Sequence, residues 1–256
     1  PILLLQRKAE DGLAPLVAPG QRSLGFMLPY TPLHLLLLEP EAGYPEVLVM
    51  TSGNLSEEPI AYEDDDANQR LSPLADGFLL HNREIHMRTD DSVVRVFEQT
   101  PYLFRRARGY APEPVQLPDN LPPILATGAE LKNTFCLTNR NYAFLSHHIG
   151  DLENYETLRS FEEGIQHYQR LFKVRPELIA CDLHPNYLAT RYAQERAQRE
   201  NLPILAIQHH HAHLAACLAD NGWKSGEPVI GLCLDGTGYG SDGAVWGGEV
   251  LYGGYQ

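Results

Sequence analysis

The amino-acid sequence predicts an α/β protein with two successive domains. In the first part of the chain, short β-type runs alternate with turn-forming residues and one polar helix, which is typical of an α+β domain. In the second part, three short strands precede helices that alternate with strands, and this order predicts a mixed sheet. Between them, the stretch 111–123 carries five prolines and is expected to be an extended linker without a regular element. We therefore expect domains at residues 1–112 and 124–256, joined by a linker at 113–123.

Composition indicates a soluble enzyme. The 256 residues are 43% hydrophobic, which suffices for a buried core, and the net charge of -13 does not favour nonspecific binding to nucleic acid or anionic membranes. No apolar run approaches the length of a membrane span, and no signal peptide is visible. The four cysteines are scattered without a C-x-x-C pair, so we expect free thiols in a reducing cytoplasm.

In the first domain, apolar runs bounded by turn residues predict four strands and two helices. The strands are expected at 2–5, 47–51, 77–81 and 92–97, a buried apolar helix at 33–38, and a polar helix at 64–71.

In the second domain, the same pattern predicts a three-stranded meander, then alternating helices and strands. The expected elements are strands at 124–127, 134–138 and 142–146, a helix at 155–174 capped by Asn154, a strand at 178–181, a helix at 187–199, a strand at 204–207, a helix opened by the histidine run and ending near 221, and a strand at 229–234. This order is typical of one lobe of a ribonuclease-H-like or actin-like fold.

The run of histidines at 209–213 is the most informative local feature. His209 and His213 are four residues apart, so on a helix they share a face, which is the spacing by which two imidazoles bind one metal ion. No Glu follows His209, which excludes the zinc-protease motif. The alternative is a polar helix start with incidental histidines.

Asp235 is expected at the carboxyl end of the last strand, directly before a glycine-rich loop. Because ligands of open α/β sheets bind outside the carboxyl ends of strands, His209, His213 and Asp235 are a candidate metal set with open positions. Gly236 and Gly238 would let backbone N–H groups approach phosphate oxygens. The alternative is a hairpin turn in which the glycines serve shape alone.

Two further segments could line the same edge. The turn 127–134 contains Gly128 and projects Lys132, which could contact a nucleotide phosphate or be an ordinary exposed lysine. His147 follows the third strand of the meander and could line the edge or be a surface or turn residue.

The first domain offers a second anion site. Ser52 and Asn54 lie where a strand is expected to meet a turn, and their hydroxyl and amide groups could bind a phosphate or acyl-adenylate oxygen. Arg105, Arg106 and Arg108 could neutralise a phosphate by bidentate contacts, or form a solvated basic edge. Ser92 could add another hydroxyl.

Taken together, these motifs resemble one family. The segments 50–60 and 105–112 resemble the carboxyl part of a YrdC-like domain, and 128–134, 146–154, 181–185, 208–213 and 235–240 resemble a carbamoyltransferase domain with a TsaD-like, actin-like lobe. Their order resembles the HypF family of [NiFe]-hydrogenase maturation factors. Regions that this family carries before and after these domains are absent from the sequence, and the second domain holds only its first lobe, so we expect a piece of a longer protein.

The resemblance implies a carbamoyltransferase that acts as a ligase. Carbamoyl phosphate and ATP with Mg²⁺ would give carbamoyl-adenylate, and the carbamoyl group would pass to the carboxyl-terminal cysteine of HypE. The resemblance places a divalent metal, zinc or iron, on His209, His213 and Asp235. Lys132 and Asp235 are the expected catalytic residues, and the adenylate contacts are expected near Ser52, Asn54, Ser92, Arg105, Arg106, Arg108, Lys132, Gly236 and Gly238.

Two alternatives share parts of this pattern. A tRNA threonylcarbamoylation protein of the YrdC and TsaD type would bind RNA, which the YrdC-like analogy alone suggests here; its transferase is expected to carry Glu-Gly where this chain has His211-Ala212. A small-molecule O-carbamoyltransferase would share the metal set but not this arrangement with an upstream YrdC-like domain.

Overall fold

The computed structural model describes residues 1–8, 12–56, 58–224 and 226–255. Glu57, within the first motif of the resemblance, lies outside the described residues. The chain forms two compact units, one of Pro1–Leu55 with Ile60–Tyr110 and one of Ser56–Pro59 with Ala111–Gln256. Helices and mixed sheets occur in the chain as predicted, which confirms the α/β class.

The first unit is built on a four-stranded sheet with the order β2-β1-β3-β4. Its elements are β1 (Ile2–Gln6), β2 (Ser23–Phe26), α1 (Pro32–Leu37), α2 (Asp64–Leu71), β3 (Val93–Phe97) and β4 (Thr100–Arg105). β1 runs parallel to β3, whereas the two outer pairs are antiparallel. The Thr31 hydroxyl caps α1 by accepting the His34 N–H at 3.2 Å, and Pro32 supplies the fixed φ that suits a first helical position.

Three predictions for the first unit are wrong. The segments 47–51 and 77–81 are not strands, because neither has a ladder partner among the described residues. The predicted helix at 33–38 forms, but its leucines are not buried; Leu36, for example, is 69% exposed. Apolar runs report a local preference, whereas a strand also needs a neighbour for its backbone groups and a buried helix needs a surface to cover.

The second unit is built on a five-stranded mixed sheet with the order β5-β7-β6-β8-β9. Its strands and helices are β5 (Val115–Leu121), β6 (Ile124–Ala126), β7 (Cys136–Leu145), α3 (Tyr155–Phe172), β8 (Leu178–Asp182), α4 (Leu188–Glu200), β9 (Ile204–Ile207), α5 (His209–Asp220), β10 (Val229–Cys233), β11 (Gly238–Tyr239), β12 (Val245–Trp246) and β13 (Glu249–Gly253). β6, β8 and β9 are parallel to one another, and β5 and β7 complete the sheet in antiparallel fashion.

The segment β7 folds back on itself. A straight strand of its 10 residues would be about 33 Å long. However, the Ser146 N–H, after its last residue, donates to the Phe135 carbonyl, before its first, at 2.8 Å. Arg140, at its midpoint, has a left-handed φ of 57°. The two strands predicted at 134–138 and 142–146 are therefore the two arms of this hairpin.

The proline-rich stretch is not free of regular structure, which corrects the linker prediction. β5 pairs with β7 through Val115↔Ala143 and Gln116↔Tyr142, and the register is interrupted before Leu121. β5 is the edge strand of the sheet, and a proline that lacks an N–H is tolerated at an edge or an irregularity. Pro118 lies within that interrupted part of the strand.

The core of the second unit lies between the sheet and α3. Asn154 caps α3 by accepting the Thr157 N–H at 2.8 Å, and Phe161, Ile165 and Tyr168 recur along its buried face. Phe135 contacts the rings of Phe161 and Tyr168 with centroid distances of 5.9 and 5.1 Å in edge-to-face geometry. None of the helices that the structure describes is long and apolar enough to cross a membrane.

The strand predicted at 229–234 forms as β10, but it does not join the five-stranded sheet. Among the residues that the structure describes, β10 pairs with β13 alone, in register from Val229↔Gly253 to Cys233↔Glu249. Ile230 and Leu232 on β10 are 71% and 70% exposed. An apolar run predicts a strand without saying which strand pairs with it, and here the partner is β13, which follows the hairpin of β11 and β12.

His147 is buried, which contradicts the surface position that the sequence left open beside an edge or turn position. Its ring lies 6.5 Å from the ring of Tyr168, and the residue is 3% exposed. Burial, together with the nearby His148 and His167, lowers the pKa of His147 to about 4. The folded protein therefore keeps this imidazole neutral under mildly acidic conditions, where an unfolded chain would protonate it.

This burial predicts a pH-dependent stability. The contribution of His147 is complete above about pH 6.5 and is lost as the pH falls toward 4, because only the unfolded chain gains the proton in that range. When the pH falls from 7 to 5, protonation of this imidazole in the unfolded chain should lower the free energy of unfolding by about 2 kcal/mol. His147→Gln should remove this part of the pH dependence. Both tryptophans, Trp223 and Trp246, lie in the second unit, so their fluorescence during urea unfolding reports on it. If the free energy of unfolding depended equally steeply on pH in the wild type and in the variant, the assignment of this pH dependence to His147 would be contradicted.

Candidate metal centre

Three parallel strands deliver the polar side chains of the second unit to one edge of the sheet. The register pairs Ala126 of β6 with Ala180 of β8, and Asp182 of β8 with Ile207 of β9. The turn after β6, the loop after β8 and the start of α5 therefore follow the carboxyl ends of neighbouring strands. This is the edge at which the sequence predicted a ligand site.

The histidine run opens α5, as predicted. The Gln208 side chain caps the helix by accepting the His211 N–H at 2.9 Å, and the helix begins at His209. His209 and His213, one turn apart, have their ring centroids 4.8 Å apart and their Nε2 atoms 3.2 Å apart. The two imidazoles thus present the same nitrogen to the same point.

Asp235 brings a carboxylate to these two rings. Its Oδ2 atom lies 2.8 Å from Nε2 of His209 and 3.2 Å from Nε2 of His213. A tetrahedral ion with ligand bonds of about 2.1 Å holds its donor atoms about 3.4 Å apart. The three donor atoms therefore fit a single divalent ion, and two imidazoles with one carboxylate suit zinc or iron. The His213 side chain is 56% exposed, which leaves an open side for further ligands.

Asp182 is a functional candidate that the sequence reasoning missed. Its Oδ2 atom lies 2.6 Å from Nδ1 of His209, and its Oδ1 atom accepts the His184 N–H at 2.8 Å. The hydrogen bond with Asp182 is the main cause that raises the pKa of His209, against the opposing effect of burial, and Asp235 adds to it. The available signal was an aspartate at a strand end, the same signal that singled out Asp235.

Asp235 is held in its ionised form. Desolvation acts to raise its pKa, but hydrogen bonds from His209, from the Thr237 N–H and from His213 outweigh that effect, so the pKa of Asp235 is lowered. Nearby, burial and the charges of Asp182, Glu130 and Asp235 raise the pKa of the Tyr187 phenol. The edge therefore concentrates negative charge, which suits a cation.

His210, between the two candidate ligands, supports the loop that carries Asp235. It is fully buried. The Gln208 amide lies 3.1 Å from its Nδ1 atom, and an amide N–H donating there leaves Nε2 to donate to the Asp235 carbonyl at 3.4 Å. Sequence reasoning assigned His210 no role.

The glycine-rich loop combines open and close-packed positions. Gly238 lies in the short hairpin of β11 with β12, and a Cβ atom there would lie 2.3 Å from Cε1 of His210. Packing against His210 therefore explains why position 238 is a glycine, in agreement with the alternative that the glycines shape a hairpin turn. Gly236 has nothing within 4 Å of an added Cβ, so its backbone is open to a ligand.

Lys132 lies in the turn at the same sheet edge. Its φ is 49°, and its N–H donates to Asp151 Oδ1 at 2.6 Å. Gly128 has a φ of 71°, and an added Cβ would lie 2.5 Å from the Thr134 carbonyl oxygen, so this turn requires glycine. Glu130 ties the turn to α4 by accepting the Leu188 N–H at 2.8 Å.

In the first unit, the arginine segment is held by nearby partners. Arg105 lies 3.5 Å from Asp90, and Arg108 lies 3.9 Å from Asp91. Arg106 donates to the Tyr110 carbonyl at 2.9 Å.

The predicted hydroxyl and amide groups of this unit differ in accessibility. Ser92 is fully buried; its hydroxyl donates to the Arg108 carbonyl at 3.0 Å and accepts the Ala107 N–H at 2.8 Å, so it holds the arginine segment. Ser52 is exposed, and the Asn54 amide donates to the Leu55 carbonyl at 2.8 Å. Ser52 and Asn54 thus remain candidates for a bound anion.

The packing of Gly238 on His210 predicts a large effect of one methyl group. Gly238→Ala should destabilise the second unit by about 1–3 kcal/mol, because the fully buried His210 ring would have to shift to admit the methyl group. Gly236→Ala, two residues away in open space, should change stability by less than about 0.5 kcal/mol. Urea unfolding followed by tryptophan fluorescence measures both. Equal effects of the two substitutions would show that the loop does not pack as described.

Three family models together match most of the chain. Residues 1–107 match the model for Sua5, YciO and YrdC proteins, described as telomere recombination. Residues 119–220 match the model described as the HypF Kae1-like domain, and residues 231–256 match a carbamoyltransferase Kae1-like domain, second subdomain. The last match includes β13 and most of β10, the strands that lie outside the five-stranded sheet.

Individual relatives agree with these models. The chain is 50% identical to carbamoyltransferase HypF2 of Cupriavidus necator, over 98% of the chain and 32% of that protein. It is 48% identical to carbamoyltransferase HypF of Rhodobacter capsulatus, over 100% of the chain and 34% of that protein. The chain thus spans about a third of the length of these relatives.

Solved structures give the same result. A crystal structure of full-length HypF in the phosphate- and nucleotide-bound form matches with a TM-score of 0.88 and 48% identity, over 98% of this chain and 39% of that one. HypF of T. kodakarensis matches with a TM-score of 0.90 and 40% identity, over 100% of this chain and 33% of that one. These similarities confirm the resemblance found in the sequence, and the chain belongs to the HypF carbamoyltransferase family.

Proposed function

We propose that this chain contributes to ATP-dependent transfer of a carbamoyl group from carbamoyl phosphate, through carbamoyl-adenylate, to the carboxyl-terminal cysteine of HypE. Family membership supports carbamoyl transfer in general. The observation that carries the finer proposal is the convergence of Nε2 of His209, Nε2 of His213 and Oδ2 of Asp235 at distances of 2.8 to 3.2 Å. Since the chain spans a third of its relatives, the complete reaction belongs to the whole protein.

The second unit would carry the transfer step. A zinc or iron ion held by His209, His213 and Asp235 would supply a Lewis acid for the carbonyl or the adenylate phosphate. The acceptor thiolate attacks the carbamoyl carbon, a C–S bond forms, the C–O bond to the phosphate breaks, and AMP leaves with the bonding electrons. Lys132, in the turn at the same sheet edge, would balance the charge of the leaving phosphate.

The first unit would carry the formation of carbamoyl-adenylate from ATP with Mg²⁺. Arg105, Arg106 and Arg108 would contact the phosphates, with Ser52 and Asn54 as polar partners. Asp90 and Asp91 hold two of these guanidinium groups in place, and Ser92 enters the proposal as a support of their backbone. Such pre-positioning favours a charged ligand because less side-chain freedom is lost on binding.

A cytoplasmic location is part of the proposal. All four cysteines are free thiols, two of them buried. Burial and the nearby Asp182 raise the pKa of Cys181 to about 11, so this thiol is unreactive. Free thiols of this kind suit a reducing compartment.

Loss of either candidate imidazole ligand should remove the metal. In the full-length protein, we expect His209→Ala and His213→Ala to lose bound zinc or iron and to stop carbamoyl transfer, while carbamoyl-adenylate formation persists. His211→Ala is the matched control, because His211 lies between them on α5 but contacts the Gly254 carbonyl at 3.0 Å. Elemental analysis of the purified proteins measures the metal content. Unchanged metal in both ligand variants would refute the centre.

Adenylation should depend on the arginine segment. In the full-length protein, Arg106→Ala and Asn54→Ala should each lower carbamoyl-phosphate-dependent exchange of pyrophosphate into ATP, because each loses a contact to an anionic group worth about 1.5–3 kcal/mol. That corresponds to about ten- to a hundredfold in rate. Arg95→Ala, at an exposed arginine of the same sheet, is the control. If His209→Ala abolished exchange and Arg106→Ala did not, the proposed division of labour would be reversed.

A further inference from the structure

Asp182 lies directly behind the metal-facing ring of His209, and both of its carboxylate oxygens are in use. Oδ2 lies 2.6 Å from Nδ1 of His209, and Oδ1 accepts the His184 N–H at 2.8 Å. The Asp182 side chain is only 7% exposed, so these contacts are shielded from water. These two contacts therefore fix the orientation of the Asp182 carboxylate.

The backbone around Asp182 is fixed as well. Its carbonyl accepts the hydroxyl of the buried Thr190 at 3.2 Å, and the following Leu183 N–H donates to the Ile207 carbonyl at 2.9 Å. His209 follows Ile207 by two residues. The carboxylate and the imidazole are therefore positioned by the same pair of strands.

The chemistry of this contact selects one form of the ring. A neutral imidazole carries one proton, and an ionised carboxylate can only accept hydrogen bonds, so the contact with Asp182 favours the neutral ring with its proton on Nδ1 and its lone pair on Nε2. Asp235 competes for a proton on Nε2, but its contact is longer, at 2.8 Å, and its side chain is 35% exposed. The shorter, more buried hydrogen bond to Asp182 is the stronger one.

We propose that Asp182 is a positioning residue that holds His209 in the tautomer and orientation able to bind a metal ion. This inference rests on the proposed metal centre and assigns a residue outside its ligand set. His213 is 56% exposed, against 15% for His209. Because His209 is the more buried of the two, it is the ligand whose orientation the protein determines before a metal ion binds.

Replacement by asparagine tests this tautomer argument, because both contacts of Asp182 require an acceptor. Asparagine offers one carbonyl oxygen and one NH₂ group. If its oxygen keeps the His184 N–H, its NH₂ faces Nδ1 of His209 and forces the proton onto Nε2, where it blocks a metal. Alanine only leaves the ring unsupported. A role limited to shape and packing predicts the opposite ranking, with asparagine milder than alanine.

Zinc affinity of the purified protein, measured by competition with a chromophoric chelator, is the first readout. We expect Asp182→Ala to weaken zinc binding about ten- to a hundredfold. Asp182→Asn should weaken it at least as much. Glu163→Gln makes the same chemical change at an exposed ion pair on α3 and should leave the affinity unchanged. Wild-type affinity in both Asp182 variants, or a clearly milder effect of asparagine, would overturn the proposal.

The protonation of the His209 ring in the metal-free wild-type protein is the second readout, and it does not depend on the two Asp182 variants folding. Nitrogen-15 NMR at alkaline pH, with the signal assigned by its absence in His209→Gln, should show the proton on Nδ1. A proton on Nε2 would overturn the proposal. Nδ1 protonation in a protein that binds no zinc would instead refute the metal centre, so the two failures are distinguishable.

Discussion

The parallel pairing of β8 with β9 is the constraint on which the candidate metal centre depends. It places Asp182 opposite Ile207, and α5 begins two residues later with His209. A slip of one residue would displace the carboxylate by about 3.3 Å along the strand and turn it to the other face of the sheet. On β8, Ile179 and Cys181 are buried against Ala193 and Ala197 of α4, and this packing resists such a slip. Apolar burial therefore selects the register that brings the polar groups together.

A second constraint comes from the way α5 divides its faces. His210, Leu214 and Leu218 recur every four residues and are buried, whereas His209 and His213 lie on the neighbouring stripe. The buried stripe anchors the helix, and through His210 it reaches the Asp235 carbonyl and the packing of Gly238. The run of histidines thus combines two functions. One imidazole supports the loop that carries Asp235, and the two that flank it present their Nε2 atoms beside the Asp235 carboxylate.

The sequence predicted those elements that local pattern determines. The periodicity and the cap at Asn154 predicted α3, and the apolar run 204–207 predicted β9. The predictions from sequence were wrong for segments whose structure depends on pairing with another segment. The segments 47–51 and 77–81 have the composition of strands but no ladder partner among the described residues, whereas β5 has several prolines nearby and pairs at a sheet edge. Hydrophobicity and turn chemistry describe one segment at a time, and pairing is a property of two.

The same reasoning explains which part of the candidate site could be anticipated. His209 and His213 are related by helical spacing, which is local, and Asp235 was recognised because it ends a strand beside glycines. Asp182 also ends a strand, but its role follows from the pairing of β8 with β9, and no spacing along the chain encodes that contact.

The distribution of charge then explains why this edge suits a cation. Asp182 and Asp235 contribute two carboxylates to either side of one imidazole, and Glu130 lies close enough to act on the same tyrosine, Tyr187. Without an ion, hydrogen bonds from the His209 ring partly offset this charge, which is why its pKa is raised. A divalent ion on the Nε2 side would balance the two carboxylates while both imidazoles stay neutral. The Asp182 charge is buried and therefore costly without compensation, which a proton or a metal ion on the His209 ring would supply.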